Sequence, residues 1–412
     1  MILNRRQLRL LLPLGTALAL SLTGDSTLYA VLPNQFAMVG ISLGAVGVML
    51  GANRLIRIPG NLLAGALNDR LGRRRLFLIG LSLGILSTLS YSFVHGFWLL
   101  LAARLLWGIS WALINVGGYA MVLDWSTSTD RGRMTGFYQV SYMVGLAISP
   151  ILGGALTDAM GFRTAVRICA AVSTVGLAVA FVALPEVRPP AATQSRTSKQ
   201  HHPRRWLGAT AEALRQTDRR LWLAGYIYLV VFFVGNGVLM STISLYLGQR
   251  WGTTLTLGQV AVGVASLAGL MLALRALLGI LGGPLAGIMS DQLGNRWPVI
   301  RVAILVGVSG FVVLTVVRGV WAIPVGVALV SLSMGALIAV VAAIVGDLTA
   351  GNKSGIAMGG MATAGDIGSA AGPLVAYALA SVLDLRWVYL CCAVLLASCL
   401  LATVGKWQRA GR

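Results

Sequence analysis

Acidic residues are scarce in this chain: 12 Asp and Glu stand against 32 Lys and Arg, and charged residues make up only 11% of its 412 positions. Soluble domains carry about a quarter charged residues, so too little polar surface is present here to clothe a water-exposed fold. Histidine (3) and cysteine (4) are scarcer still. Cys169, Cys391, Cys392 and Cys399 fall within apolar stretches and lack metal-ligand spacing, which leaves them as small packing residues. His95 falls in a short turn and His201 with His202 in a polar segment, so no metal centre is offered. No enzyme signature emerges, and no cofactor is expected.

What the chain does have is hydrophobic sequence: 57% of residues and a mean hydropathy of +0.83. About twelve apolar stretches recur, centred near Ala17, Val48, Leu83, Trp111, Val144, Val175, Val231, Leu267, Gly307, Leu329, Ser369 and Val394. A helix needs about 20 apolar residues to cross roughly 30 Å of hydrocarbon, and these stretches meet that length. The expected fold class is therefore an all-α integral membrane protein with twelve transmembrane helices. The first 30 residues have the basic, apolar and small-residue zones of a signal peptide. Asp25 inside them, and the spans that follow, favour an uncleaved first span instead.

A net charge of +20 raises the question of nucleic acid, and the placement of the charges answers it. They alternate between loops. With twelve spans and an N-terminus inside, 23 Lys and Arg lie in cytoplasmic segments and five, Arg163, Arg167, Arg250, Arg318 and Arg386, near the other face. This is the positive-inside pattern; it sets both termini in the cytoplasm of a cell (inner) membrane protein and makes the lipid bilayer, not nucleic acid, the partner.

The chain is also written twice. Residues 60–74, GNLLAGALNDRLGRR, and 282–296, GGPLAGIMSDQLGNR, share eight of fifteen positions, among them Gly65/Gly287, Asp69/Asp291, Gly72/Gly294 and Arg74/Arg296. At an offset of 223, Asp124 matches Asp347, Gly145 matches Gly368, Pro150 matches Pro373 and Arg163 matches Arg386. Shared apolar composition aligns Leu with Leu, but it does not keep Asp, Pro and Arg in register. Residues 185–220, rich in Pro, Ser, Thr and Arg, read as a cytoplasmic linker that ends in a short interfacial helix. The division is a six-helix bundle over 1–184, the linker over 185–220 and a second six-helix bundle over 221–412. Two like halves are the plan of a transporter that rocks one bundle against the other.

GALNDRLGRRR (65–75) resembles the loop signature between the second and third helices of the major facilitator superfamily, and GIMSDQLGNR (287–296) its weaker counterpart. RLLWG (104–108) is similar to the family's fourth-helix Arg-x-x-x-Gly, and GLAISPILGG (145–154) to the fifth-helix motif of its proton-coupled exporters, with Ser149 replacing a Gly. The resemblance covers essentially the whole chain and implies the twelve-helix drug and solute exporter branch. It implies a conformational latch made of Gly65, Asp69, Gly72, Arg73 and Asp291, with Asp69 holding the start of helix eleven near Lys353–Gly355. Small faces and prolines at Gly145, Pro150, Gly153, Gly154, Gly372 and Pro373 suit close helix packing and axis bending.

Ionisable residues within spans are costly, and here they are Asp25, Arg54, Arg57, Arg104, Arg275 and Asp366. Asp25, about 8 residues from the outer end of helix one, and Arg104, about 7 from that of helix four, come to similar depth, roughly 10–12 Å. They are expected to meet, with Asp25 as proton acceptor. Arg54, Arg275 and Asp366 also share a depth, and family architecture suggests an Arg54–Asp366 pair made and broken between bundles. Arg57 is close enough to the inner surface to snorkel. Four arginines against two aspartates favour an anionic, zwitterionic or neutral polar solute over a cation. Tyr29, Trp107, Trp111, Asn115, Tyr138, Gln139, Tyr142, Tyr228, Phe233 and Asn236 are candidate cavity residues. The expectation is a monomeric antiporter that exports a small organic solute against protons. A facilitator or importer of a polar metabolite, and a non-transporting membrane scaffold, are the rival readings.

Overall fold

In the computed structural model, residues 4–127, 129–186, 219–257, 259–349 and 354–404 are described. The linker and its interfacial helix fall almost wholly outside these residues.

Twelve spans are present. Spans 1 to 6 are Arg5–Gln35, Leu43–Leu71, Arg73–Ser90, Phe97–Trp125, Arg131–Met160 and Phe162–Ala183. Spans 7 to 12 are Arg219–Trp251, Val264–Leu293, Arg296–Val316, Ala322–Leu348, Ser354–Ala380 and Leu385–Val404. Eight of these qualify as membrane-crossing on length and apolarity alone. Of the other four, span 2 is broken into two helices of 13 and 15 residues, span 3 opens with Arg73, Arg74 and Arg75 in a helix of 18 residues, and spans 1 and 11 are less apolar, with Asp25 and Asp366 inside them. The chain is a multi-pass integral membrane protein.

Local chemistry explains where the helices start, stop and break. Asn4 caps span 1 in a reciprocal box: Gln7 N donates to its side chain at 2.8 Å, and Asn4 N donates to Gln7 Oε1 at 3.0 Å. Gly72, at φ +84°, turns span 2 into span 3, a conformation open to glycine at no steric cost. Span 2 is broken at Ile56 into Leu43–Leu55 and Arg57–Leu71. Pro59 lacks the N–H that the Leu55 carbonyl needs, which accounts for the break.

Three features were not legible beforehand. Span 7 contains a π-helical stretch, Phe232–Leu239, between two α-helical segments. An antiparallel hairpin, Thr254–Leu257 with Val260–Gly263, links spans 7 and 8, so the expected all-α chain carries one small pair of strands. The repeat also shifts register. Arg73 Nε meets Asp124 at 2.9 Å and Arg296 Nε meets Asp347 at 2.8 Å. Arg296 is thus the structural equivalent of Arg73 rather than Arg74, because Asn295 adds one residue after the turn glycine.

The spans form two pseudo-symmetric six-helix bundles. They join where span 1 meets span 7, span 2 meets span 11 and span 5 meets span 8. These contacts gather toward the face opposite the chain termini. Asn34 Nδ2 donates to Ser244 O and Oγ at 2.8 and 3.0 Å, and Asp158 Oδ2 accepts from Ser266 N and Oγ at 2.7 and 2.6 Å. Close approach there requires small residues: a Cβ on Gly47 would meet the Pro373 carbonyl at 2.6 Å, and Gly154 and Gly269 abut the backbones of Ala265 and Pro150. Toward the terminal face the bundles part. Arg57–Leu71 packs on spans 3 and 4 of its own half and has no substantial contact with the second half among the described residues.

On that terminal face Asp130 ties span 5 to span 1. Its carboxylate accepts from Thr127 Oγ1 at 2.8 Å, Thr127 N at 2.6 Å and Gln7 Nε2 at 2.7 Å. These bonds, the Thr127 hydroxyl first, hold its carboxyl below the usual carboxylate range.

Gly153 is closed over by the Thr27 side chain, whereas Gly136 faces open space. Gly153→Val is expected to cost about 1–3 kcal/mol through overpacking, while Gly136→Ala leaves stability unchanged. Thermal unfolding of the purified variants in detergent checks both.

Candidate functional site

Beneath the sealed face, two groups of charges occupy the interior. The first is built on spans 1, 2 and 4. Asp25 stands ten residues before the end of span 1, slightly deeper than the sequence estimate, and Arg104 seven residues into span 4. Arg104 Nη1 donates to Asp25 Oδ1 at 2.6 Å, with the arginine side chain fully buried and the aspartate side chain 10% exposed. The expected meeting of these two residues is therefore present. The same Oδ1 accepts from Asn53 Nδ2 at 3.2 Å, and Arg104 Nε donates to the Met49 carbonyl at 3.0 Å. Tyr91 Oη lies 3.5 Å from Arg104 Nη1. Three spans are thereby clasped through one guanidinium.

Asn53, Tyr91 and the Met49 carbonyl did not stand out in the sequence. Asn53 directly precedes Arg54, yet it points to the opposite partner: a polar residue inside an apolar run was its signal.

The second group spans both halves. Arg54 Nε lies 3.4 Å from Tyr29 Oη, and Arg54 Nη2 lies 3.6 Å from Met240 Sδ on span 7. Arg275 on span 8 donates to Asn236 Oδ1, which the π-helical stretch of span 7 presents. Arg57 stacks over Trp111 at 5.2 Å instead of reaching the membrane surface, and the Trp111 ring lies 5.4 Å from that of Tyr142. Arg54 and Asp366 are not within 4 Å of one another, so the suggested pair is not formed in this conformation; Asp366 acts on Arg54 and Arg57 only at longer range.

Other expected cavity residues divide by burial. Tyr29 is buried between Arg54 and Arg104, its ring 5.9 Å from each guanidinium. Trp107 and Tyr138 are almost fully buried in the first half in this conformation, against Gly84 and Gly118 respectively. Gln139 accepts from Tyr119 Oη at 2.7 Å. Tyr228 stacks on Phe232 at 4.6 Å, Asn115 is half-buried on span 4, and Phe233 turns to an apolar crevice with Val375, Leu379 and Cys391.

The packing residues go to distinct neighbours. Gly145 abuts Ala19 on span 1, Gly153 abuts Thr27, Gly154 faces span 8, and Gly372 meets Gly237 in the π-helical stretch. Pro150 and Pro373 each present a carbonyl to a glycine of the other half, Gly269 and Gly47. Of the latch residues, Arg73 pairs with Asp124 and donates to the Asn68 carbonyl at 2.9 Å, and the Asp291 carbonyl accepts from Gly294 N. The Asp69 side chain and Lys353 lie outside the described residues.

The fold and the repeat have a counterpart among known proteins. A sequence profile of the Major Facilitator Superfamily matches residues 14–269 and 264–409. The chain belongs to this superfamily. Among curated relatives, it is 28% identical over 187 residues to an uncharacterised MFS-type transporter of Mycobacterium tuberculosis, covering 45% of this chain and 30% of that protein. A probable L-galactonate transporter of Escherichia coli is 30% identical over 125 residues, 30% of this chain and 28% of that one. The human vesicular acetylcholine transporter is 30% identical over 129 residues, 31% of this chain and 24% of that one. These three matches each span under a third of the relative's length. A bacterial homolog of the human lysosomal transporter Spinster, solved inward-facing and unoccupied, superposes with TM-score 0.75 at 16% identity, covering 98% of this chain and 97% of that one. The nucleoside transporter NupG gives 0.74 at 14% identity, covering 96% and 98%. These likenesses establish the fold.

Arg104→Ala would leave Asp25 buried without its cation, at an expected cost of about 3–5 kcal/mol. Asp25→Asn combined with Arg104→Gln is expected to recover part of that loss. A double-mutant cycle on thermal unfolding reads the coupling between the two.

Proposed function

We propose that this superfamily member is a secondary transporter that exports a small organic solute by alternating access, driven by protons. One observation carries the reading: charged residues from both bundles lie beneath a seal confined to one face, while the bundles part at the other. The positive-inside pattern puts the parted face in the cytoplasm and both termini with it, so this conformation is inward-facing in a cell membrane. Rocking about the small-residue contacts of spans 5 and 8 and of spans 2 and 11 would exchange the two openings.

Asp25 is the proton acceptor in this proposal. Its carboxylate shares one oxygen between Arg104 and Asn53. Protonation would cancel the attraction to Arg104 and release the clasp on spans 1, 2 and 4, giving the proton a lever on helix packing. The latch at Gly65, Asp69, Gly72, Arg73 and Asp291 then serves the opposite state, closing the parted face. Resemblance of GLAISPILGG to the exporters' fifth-helix motif supports the outward direction.

In proteoliposomes, solute flux is expected to rise when a pH gradient is imposed and to lose that response in Asp25→Asn. Flux that ignores both the gradient and the substitution would identify a facilitator.

A further inference from the structure

Three arginines lie near mid-depth, and none of them is ion-paired among the described residues; Arg54 and Arg275 touch Met240 and Asn236, four residues apart on span 7. Arg54 and Arg275 each lie eleven residues from the sealed end of their spans, about 17 Å down, one on each bundle. Arg57 follows within one turn. Arg54 is within electrostatic reach of both Arg57 and Arg275, and Tyr142 is acted on by all three. Their direct contacts are neutral: Tyr29 Oη and Met240 Sδ for Arg54, Asn236 for Arg275, and the Trp111 ring for Arg57. Arg57 Nε is buried without a hydrogen-bond partner, and among the described residues no ion pair reaches any of the three. Asp25 is engaged by Arg104, and Asp366 stands off. Half-buried like charges gathered within the spans thus have carboxylates only at longer range and no counter-ion in direct contact.

We infer that Arg54, Arg57 and Arg275 form a binding site for an organic anion with an aromatic body. Acid groups bridge the guanidinium forks of Arg54 and Arg275, and the ring lies against Trp111 and Tyr142, where Arg57 already stacks. Guanidinium suits this role, since its planar donors match a carboxylate in pairs. With Asp366 opposing three cations, two positive charges are left over, so a dianion fits better than a monoanion. The anion would also draw the two bundles together across their interface, because Arg54 and Arg275 belong to different halves. As the substrate class of the transport cavity, this inference rests on the transporter reading; as a binding site, it does not.

The test uses the full-length protein in nanodiscs of zwitterionic lipid, at pH 7, constant ionic strength and no gradient. Calorimetry and thermal stabilisation compare four probes of like size: isophthalate, benzoate, benzamide and benzylamine. Isophthalate is expected to bind about tenfold more tightly than benzoate, with neither benzamide nor benzylamine binding. Arg54→Gln and Arg275→Gln are each expected to weaken isophthalate at least about tenfold, and Arg163→Gln on the sealed face to leave it unchanged. Should the glutamine variants fail to fold, Arg54→Lys, Arg275→Lys and the preference of the unaltered protein for the acids over their neutral and cationic counterparts decide the matter. The inference is overturned if benzamide or benzylamine binds as well as isophthalate, if folded Arg54 and Arg275 variants retain full affinity, or if no acid binds up to millimolar concentration. Isophthalate binding together with flux indifferent to Asp25→Asn keeps the anion site and removes the proton coupling.

Discussion

The first bundle is organised around the most deeply buried ion pair among the described residues, Asp25 with Arg104. In hydrocarbon an unpaired charge is expensive, so these two residues fix the depth and rotation of spans 1 and 4 relative to one another. Span 2 is then drawn in by the Met49 carbonyl and Asn53, which add hydrogen bonds to the pair, while Arg104 Nη2 stays buried without one. The consequence reaches beyond stability. In the proposed transport cycle this clasp is what a proton on Asp25 opens.

A second constraint governs how the bundles meet. Apolar side chains gain little from leaving lipid for one another, so the halves adhere through close backbone approach and a few polar bonds. Gly47, Gly154 and Gly269 permit the approach, and Asn34, Ser244, Asp158 and Ser266 supply the bonds. Such contacts are few in kind, which suits the separation of the bundles that the proposed transport cycle calls for. The π-helical stretch of span 7 serves the same region: its extra backbone room brings Gly237 against Gly372 and presents Asn236 to Arg275.

Much of the fold could be read from particular residues. The repeat of Asp, Gly and Arg after spans 2 and 8 announced two halves, and depth alone paired Asp25 with Arg104, because distance along a membrane helix translates directly into position across the bilayer. The Arg54–Asp366 suggestion shows where depth stops helping. Equal depth is necessary for contact, but the azimuth of a side chain around its helix depends on breaks such as that at Ile56, and on which neighbour packs closest. The surroundings of Trp107, Tyr138 and Phe233 were hidden for the same reason: an aromatic residue in a membrane helix looks alike whether it faces packing, lipid or cavity.

By itself the sequence determined the solvent, the number of spans, the duplication and the inventory of interior charges, since each follows from composition, from period or from the high cost of charge in hydrocarbon. Only the tertiary structure decided which charges are satisfied. Arg104 found its carboxylate, whereas Arg54, Arg57 and Arg275 converged from two bundles onto neutral partners. That outcome is set by the packing of helices distant in sequence, which no local pattern encodes.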